Sequence, residues 1–388
     1  MTPEARIQAA IEVLDGVLAG DAAEKALTSW GRRSRFAGSK DRAAVRDHVF
    51  QALRCRRSYA CLGGAETGRG LMLGALRAAG VAPQTVFTGQ GHAPEVLSED
   101  EEAGGAAPVT AGDRLDLPDW MVPLFEAALG DGAEAAARML RERAPVCLRV
   151  NIRMNSVSEV IENMVTSGIS VRRSEIAEEA LIVTEGARKV AQSELYATGG
   201  IELQDGASQA AMAALEIAPG ARVLDYCAGG GGKVLALAVR HDALWFAHDA
   251  DPRRMADLPA RAARAGVEVT RLEGRDLAAA GPFDLVLCDV PCSGSGTWRR
   301  APDAKWRLTP ERLDALCAIQ REILESAAAL VAPGGQLVLT TCSVFRCENE
   351  DQSAAFLQTH PEWGETLRRR WPISAEGDGF FLSVFKRI

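Results

Sequence analysis

The sequence has no CxxC cysteine pair, no long apolar run and no excess of positive charge, and each absence argues against a class of protein. Its nine cysteines include no CxxC spacing, which argues against a disulfide framework and against a structural zinc site, so no bound metal is expected. No apolar run approaches the ~20 residues that a membrane span needs. Residues 1–10 lack the basic-then-apolar layout of a signal peptide. We therefore expect reduced thiols, no membrane contact and a cytoplasmic protein.

The formal net charge of −8 by itself disfavours a nucleic-acid partner, but the charge is unevenly distributed. Residues 1–80 carry 13 Lys/Arg against 8 Asp/Glu, a net charge of +5, whereas residues 81–120 carry 1 against 8, a net charge of −7. A local basic surface matters more for phosphate contacts than the total charge. The cations of the first segment are either a solvated helix face or a surface that faces RNA; they are Arg32, Arg33, Arg35, Lys40, Arg42, Arg46, Arg54, Arg56 and Arg57.

A chain of 388 residues with 47% hydrophobic and 25% charged residues is typical of a soluble globular protein of two or three domains. Thr2 as a cap and Pro3 at the first position predict an N-terminal helix, and a second helix is predicted from about Ser39. Residues 91–113 are rich in Gly, Ala, Pro and acids and predict an exposed linker. We expect four ranges: a helical domain over residues 1–90, an acidic linker over 91–115, a small α/β subdomain over 116–205 and an α/β domain over 206–388.

The second half of the chain alternates between short apolar runs and helix-like segments. The apolar runs lie at residues 223–224, 244–247, 267–269, 285–287 and 336–340, and helices are predicted over 253–265, interrupted at Pro259, and over 310–330. Such alternation predicts a parallel α/β sheet. Ligands of these sheets bind beyond the carboxyl ends of the strands.

A glycine loop lies between the first of these strands and a helix, at residues 224–233. It is not a P-loop, because Cys227 stands where the first glycine belongs and Val234 replaces Ser/Thr; Val234 also excludes a GxGxxG motif. What remains is Asp225 followed by small residues that let the backbone approach a ligand. A second acid, Asp249, ends the next strand, where it is suited to ribose hydroxyls. A tight turn is the alternative, but the pair of features favours a nucleoside cofactor.

Two cysteines, Cys292 and Cys342, follow strands at the predicted ligand edge, the first in a run that begins with Asp289. A lone cysteine is more often an inert buried thiol. Two at such positions favour nucleophilic chemistry. We interpret four other thiols as inert, those of Cys227, Cys288, Cys317 and Cys347.

These motifs resemble those of the Nop/Sun family of RNA cytosine-C5 methyltransferases. One stretch consists of Asp289-Val290-Pro291-Cys292-Ser293-Gly294-Ser295-Gly296 followed by Arg299-Arg300-Ala301-Pro302-Asp303-Ala304-Lys305-Trp306; the other consists of Thr341-Cys342-Ser343-Val344-Phe345 with Glu348-Asn349-Glu350. The resemblance covers most of residues 117–388, and residues 1–80 more loosely resemble a NusB-type helical RNA-binding domain. It implies an α/β fold with a class I methyltransferase Rossmann-like sheet at the C-terminus, an all-α N-terminal domain and a small RNA-binding subdomain between them.

The resemblance also implies S-adenosylmethionine as the cofactor. The family's cofactor loop usually reads Cys-Ala-Ala-Pro-Gly-Gly-Lys, whereas this chain has Gly229-Gly230 in place of Ala-Pro. We expect the extra glycine to make the loop more flexible and so to affect cofactor affinity. The cofactor-binding residues that the resemblance implies are Cys227, Ala228, Gly229, Gly230, Gly231, Gly232, Lys233, Asp249, Asp276 and Asp289, with Asp276 as the best match for an acid displaced from the family's pattern.

The catalytic roles are implied in the same way. The thiolate of Cys342 would add to C6 of cytosine, Asp289 would hydrogen-bond the base near N3, and Cys292 would assist removal of the C5 proton and release of the enzyme. Lys233 and Lys305 either support the site or the RNA backbone or are exposed cations. The target base is expected to leave its stack to reach the site.

Three alternatives stay open at this point. The N-terminal likeness favours 16S ribosomal RNA as the substrate, and tRNA is the alternative. A nucleotide-dependent oxidoreductase on the same type of sheet would have no use for two cysteines at strand ends. A non-catalytic RNA-binding assembly factor would bind cofactor or RNA without turnover. No obligate protein partner is evident from the sequence.

Overall fold

The computed structural model describes residues 1–388, which form two compact units. The first unit consists of Met1–Arg143 and Trp298–Leu308, and the second of Ala144–Thr297 and Thr309–Ile388. The four predicted domain ranges stay predictions, since these units are bounded differently and the first one includes a short segment from the second half of the sequence. None of the helices is both long enough and apolar enough to span a membrane.

The first unit contains helices and no strands, as the sequence predicted for the N-terminal region. Thr2 accepts a hydrogen bond from the Ala5 N–H, and Pro3 opens the first helix, because its fixed backbone angle suits that position. A buried apolar core that includes Leu14, Val45 and Leu71 holds the helices together. Numbered along the whole chain, the helices of this unit are α1 (Pro3–Leu18), α2 (Ala23–Arg33), α3 (Ser39–Arg54), α4 (Arg56–Gly63), α5 (Gly68–Ala78), α6 (Glu99–Ala103), α7 (Ala111–Leu115), α8 (Val122–Leu129), α9 (Ala133–Arg141) and α16 (Pro302–Arg307).

The segment Trp298–Leu308 is anchored to α3 by hydrogen bonds to backbone carbonyls. The Trp306 indole donates to Leu53 O at 2.7 Å, and the Arg54 guanidinium donates to Arg299 O at 2.8 Å. Lys305 is only 2% exposed, and its ammonium donates to Arg54 O at 3.3 Å. Its burial lowers the pKa of Lys305 to about 8. Lys305 is therefore a buried group of the helical unit, and the interpretation of it as an exposed cation is wrong.

The second unit begins with a four-stranded antiparallel sheet of order β2-β3-β1-β4. Leu148, Val150, Val160 and Ile201 are fully buried in its core. Its elements are β1 (Val146–Val150), α10 (Val157–Thr166), β2 (Ser170–Arg173), β3 (Ala180–Glu185), α11 (Glu194–Thr198) and β4 (Ile201–Leu203).

The rest of this unit is a seven-stranded sheet of order β10-β11-β9-β8-β5-β6-β7. Five neighbouring strands are parallel to one another, namely β9, β8, β5, β6 and β7, and β11 is antiparallel to both of its neighbours. This topology confirms the predicted Rossmann-like methyltransferase sheet. Its elements are α12 (Gly206–Ala213), β5 (Arg222–Asp225), α13 (Gly232–Ala238), β6 (Leu244–Ala247), α14 (Leu258–Ala265), β7 (Thr270–Arg271), α15 (Leu277–Ala280), β8 (Phe283–Asp289), α17 (Pro310–Ala328), β9 (Val331–Thr341), α18 (Glu350–Thr359), β10 (Trp363–Trp371) and β11 (Phe380–Arg387).

One predicted strand is displaced. The run at residues 267–269 was expected to be a strand, but β7 covers Thr270–Arg271 instead. The reason is the end of α14: Gly266 has a left-handed backbone, and the Val267 N–H bonds back to Ala262 O at 3.0 Å. Val267 therefore still belongs to the helix terminus, and the strand pairs only after it.

Candidate active site

The register of the sheet brings three loops to one edge. Asp289, the last residue of β8, lies opposite Thr340 in the neighbouring parallel strand β9. On its other side β8 pairs with β5, which ends at Asp225. The connection from β5 leads to β6 on one side, and the connection from β8 leads to β9 on the other. Open α/β sheets bind ligands at the position where the direction of the connections reverses in this way. The glycine loop and the loops that carry Cys292 and Cys342 therefore all start at this edge.

The glycine loop is fixed by the second predicted acid. The Gly229 N–H donates to Asp249 at 2.9 Å, and Asp249 is 3% exposed. Gly231 has φ +81°, and a Cβ there would lie 2.3 Å from the Leu258 side chain. A side chain at this position would be both strained and in steric conflict, so Gly231 cannot be replaced without cost.

Side chains from outside the loop hold two of its carbonyl groups. Arg149 of β1 and Gln204 donate to Gly232 O at 2.9 and 3.1 Å. Arg261 of α14 donates to Gly230 O. These contacts tie a loop of four consecutive glycines to two neighbouring elements. The flexibility expected from Gly229-Gly230 is thus opposed by contacts that the sequence did not reveal.

An acid pair and a lysine lie where the loop meets the strand ends. Asp225 is 1% exposed; one of its oxygens accepts the Val234 N–H at 3.2 Å, and the other has no partner within the chain. Burial, with a further contribution from Asp289, raises the pKa of Asp225 to about 7. Lys233 donates to Asp289 at 2.5 Å, and although burial opposes it, this carboxylate raises the pKa of Lys233. Thr340 donates to the other oxygen of Asp289 at 3.2 Å.

The two candidate cysteines lie side by side. The sulfur atoms of Cys292 and Cys342 are 3.5 Å apart, and both residues are partly exposed, whereas Cys288 is fully buried. A hydrogen bond from the Cys292 thiol lowers the pKa of Cys342, and the nearby Lys233 charge lowers it further. The same contact raises the pKa of Cys292. Of the two thiols, Cys342 is therefore the one that loses its proton more readily.

A buried glutamate joins the loops that carry these cysteines. Glu348 is 0% exposed and accepts hydrogen bonds from the Ser293 N–H at 2.7 Å, from the Ser293 hydroxyl at 2.5 Å and from the Ser343 hydroxyl at 2.5 Å. Gln320 of α17 donates to it at 3.1 Å. Ser293 follows Cys292 and Ser343 follows Cys342, so one carboxylate sets the positions of both loops. The sequence showed Glu348 only as part of a motif, and its spacing after Cys342 was the one available signal.

Asp276 and Cys227, which the resemblance also assigned to the cofactor site, are in different environments from the acids described above. Asp276 follows β7, and its side chain is 52% exposed and lies 3.9 Å from the Arg275 guanidinium. Burial strongly raises the pKa of the Cys227 thiol, and Asp225 adds to this effect, so the thiol stays protonated. The Ala228 N–H donates to His248 O at 2.8 Å, which ties the start of the loop to the end of β6. A cofactor role for Asp276 stays a prediction.

The comparison with known proteins identifies the family. The model of the 16S rRNA methyltransferase RsmB/F family matches residues 212–386, and a model of the RsmF/B-like ferredoxin-like domain matches residues 117–190. Ribosomal RNA small subunit methyltransferase B of Xanthomonas campestris is 35% identical over 292 residues, which cover 70% of this chain and 67% of the relative. The same protein of Xylella fastidiosa (strain Temecula1) is 34% identical, with 71% and 68% covered. The chain belongs to the RsmB/F family. The Nop/Sun resemblance is thereby confirmed.

Two solved structures are similar to this chain. The crystal structure of PH0851 is 26% identical, has a TM-score of 0.76, and covers 100% of this chain and 99% of that one. A methyltransferase homologue from Pyrococcus horikoshii is 26% identical with a TM-score of 0.61, covering 71% of this chain and 97% of that one. Family membership makes the chain an S-adenosylmethionine-dependent RNA methyltransferase.

The residues at the sheet edge fit this cofactor. Four consecutive glycines leave the backbone of the loop without side chains that would block a ligand. Asp225 holds one buried oxygen without a partner in the chain, and such an acceptor is costly unless a bound group satisfies it. Asp249 accepts from Gly229 and Asp251 and pairs with Arg254 at 3.0 Å, which leaves part of its acceptor capacity free.

Proposed function

We propose that this chain methylates C5 of cytosine in RNA, with 16S ribosomal RNA as the substrate, through a covalent adduct between Cys342 and C6 of the base. The observation that carries the proposal is the 3.5 Å separation of the Cys292 and Cys342 sulfur atoms at the ligand edge of the sheet. The lowered pKa of one thiol and the raised pKa of the other divide the two roles between them.

C5 of cytosine is a poor nucleophile, and Cys342 is suited to activate it. Its thiolate forms a bond to C6, and the electron pair of the C5–C6 double bond moves toward C5 and the ring. Asp289 hydrogen-bonds the base near N3, and the adjacent Lys233 ammonium offsets the negative charge that develops on the ring. Bound S-adenosylmethionine supplies the electrophilic methyl group. Asp225, Asp249 and the glycine loop are the residues proposed to hold it.

Cys292 completes the reaction as the base. While Cys342 is a thiolate, its charge holds the pKa of Cys292 high. Bonding of Cys342 to C6 removes that charge, so the partly exposed Cys292 can release its own proton to solvent and, as a thiolate, accept the one on C5. The electron pair of the C5–H bond then restores the C5–C6 double bond as the C6–S bond breaks. This elimination returns Cys342 as a thiolate and frees the methylated RNA.

Covalent trapping of RNA tests this mechanism. The wild type, Cys292→Ala and Cys342→Ala would each be incubated with the cellular RNA pool, including small ribosomal subunits, and S-adenosylmethionine, and then separated on a denaturing gel. We expect an RNA adduct that accumulates in Cys292→Ala, because release is blocked, and that is absent from Cys342→Ala. Cys61→Ala removes another partly exposed thiol and is the matched control, expected to behave as the wild type.

The trapped RNA identifies the substrate. Sequencing of the adduct should return 16S ribosomal RNA; recovery of tRNA instead would replace the proposed substrate and keep the chemistry. If no variant forms an adduct and no 5-methylcytosine is produced with any RNA, the covalent mechanism is wrong. In that case binding of RNA without turnover would support the non-catalytic alternative.

A further inference from the structure

The loop between α2 and α3 in the first unit presents an aromatic ring to solvent. Phe36 is 77% exposed, and it is the one aromatic side chain among the large hydrophobic residues that the surface exposes. Burying such a ring would stabilise the fold by about 2 kcal/mol, and this chain leaves it outside. A single exposed apolar residue is ordinary, so its surroundings decide whether it has a role.

The exposure of Phe36 is imposed by a fixed backbone. Its neighbours Ser34 and Ala37 are 8% and 4% exposed. The Ser34 N–H donates to Trp30 O at 2.8 Å, and the Ala37 N–H donates to Ser34 O at 3.0 Å. Arg42 of α3 donates to Ala37 O at 3.0 Å. The loop is therefore anchored on both sides of the ring, which points outward as a rigid feature.

The ring is surrounded in sequence by cations that have no anionic partner. Arg32, Arg33, Arg35 and Lys40 are all exposed and form no ion pair, and no acidic residue lies between Glu24 and Asp41. Other arginines of the same unit are neutralised by carboxylates; these pairs are Arg6–Asp41, Arg46–Glu24, Arg57–Asp113 and Arg69–Glu101. The uncompensated positive charge is thus concentrated in the loop that carries Phe36 and in the adjoining ends of α2 and α3.

A cleft adjoins the ring. Its volume is about 840 Å³, and its lining includes Phe36, Trp30, Gln90 and His92 together with Glu4 and other polar residues of α1. Glu4 and Glu12 disfavour phosphates inside the cleft, while its polar groups can hydrogen-bond a base edge. Phosphates are therefore expected on the side of the cationic loop and a base at the ring and the mouth of the cleft.

We propose that Phe36 is a stacking platform for an unpaired base of single-stranded RNA, with Arg32, Arg33, Arg35 and Lys40 binding the flanking phosphates. An aromatic face among unpaired cations is the arrangement by which proteins bind single strands, because every base has a π-face and every nucleotide a charge. The proposal extends the proposed function, since it assigns part of the surface that holds the RNA substrate. It does not depend on the cysteine chemistry.

Equilibrium binding of labelled RNA to the full chain tests the platform. The probes are a fluorescein-labelled single-stranded oligoadenylate and the same strand in a duplex, measured by anisotropy over a range of salt concentrations. Phe36→Leu keeps the apolar character but removes the π-face, and we expect it to weaken binding of the single strand about 10-fold while duplex binding is unchanged. Phe36→Trp should bind as the wild type. Val109→Ala alters another exposed apolar residue of this unit, at 73% exposure, and is the control.

The salt dependence separates stacking from phosphate contact. Phe36→Leu should leave the slope of log affinity against log salt unchanged, whereas Arg35→Ala should reduce it by about 0.7. Arg46→Ala removes a charge that is already paired with Glu24 and should change the slope less.

Three results would overturn the platform: affinity of Phe36→Leu within twofold of the wild type, equal losses for Leu and Trp, or an equal loss on the duplex. Unchanged RNA affinity would leave a protein partner as the interpretation of the exposed ring. The Cys342 adduct is measured separately with wild-type protein, so failure of the platform and failure of the proposed function give different results.

Discussion

Glu348 is predicted to be a positioning residue for both cysteines, and Glu348→Gln tests this role. The substitution preserves the shape of the side chain but replaces one accepting oxygen by an amide that faces the donors of Ser293, Ser343 or Gln320. Hydrogen bonds to a charged group contribute about 1.5–3 kcal/mol each. Losing about two of them gives an expected destabilisation of about 3–6 kcal/mol, which corresponds to a fall in Tm on the order of 10 °C for a unit of this size.

The same substitution should also slow the chemistry at temperatures where the protein is still folded. A displacement of about 1 Å at a reacting group costs on the order of 100-fold in rate, so we expect a comparable loss in the rate of Cys342–RNA adduct formation at a temperature well below the Tm. Glu325→Gln, which alters a carboxylate that is 55% exposed and lies 3.2 Å from His360, is the control and should change stability by less than about 0.5 kcal/mol. A lowered Tm with an unchanged adduct rate would show that Glu348 is only structural, and wild-type values of both would refute the reasoning.

Three further predictions concern protonation and the cofactor loop. Cys292→Ala removes the hydrogen bond that lowers the pKa of Cys342, so adduct formation should require a higher pH than in the wild type, whereas Cys292→Ser should shift less; identical pH profiles would contradict this. Asp225, with its pKa raised to about 7, keeps its proton in the folded state at a pH where the unfolded chain has lost it, so stability should fall as pH rises from about 4 to 7. Thermal melts without cofactor should show that the stability of Asp225→Asn relative to the wild type increases as the pH rises over this range. A stability difference that does not depend on pH would refute the raised pKa of Asp225. Arg261→Gln frees the carbonyl of Gly230 and should weaken S-adenosylmethionine binding, measured by calorimetry, by about 1–2 kcal/mol. Adding Gly230→Pro, which introduces the proline usual in the family's loop, should restore part of the lost affinity. If neither change alters the affinity, the contact between Arg261 and Gly230 is unimportant for binding.

Local patterns were sufficient where neighbouring residues decide the structure. The helix predicted from about Ser39 begins at that residue, and the run Leu244–Ala247 is the strand that was expected. The strand expected at residues 267–269 is displaced because a helix-terminating hydrogen bond to Ala262 competes with strand pairing. The C-terminal strands β10 and β11 were not predicted. β10 has many charged residues, which are acceptable because it lies at the edge of the sheet, and that position is known only from the tertiary structure.

The sequence by itself indicated the family and its cofactor, because the cysteine motifs and the glycine loop are contiguous runs whose residue types can be identified directly. Only the tertiary structure decided which groups meet. Cys292 and Cys342 are separated by 50 positions, and it is the pairing of β8 with β9 that brings their sulfur atoms to 3.5 Å. In the same way Arg149 reaches the loop carbonyl of Gly232 across 83 positions. Contacts at such separations depend on strand register and on the packing of remote elements, and neither is encoded in any local stretch of sequence.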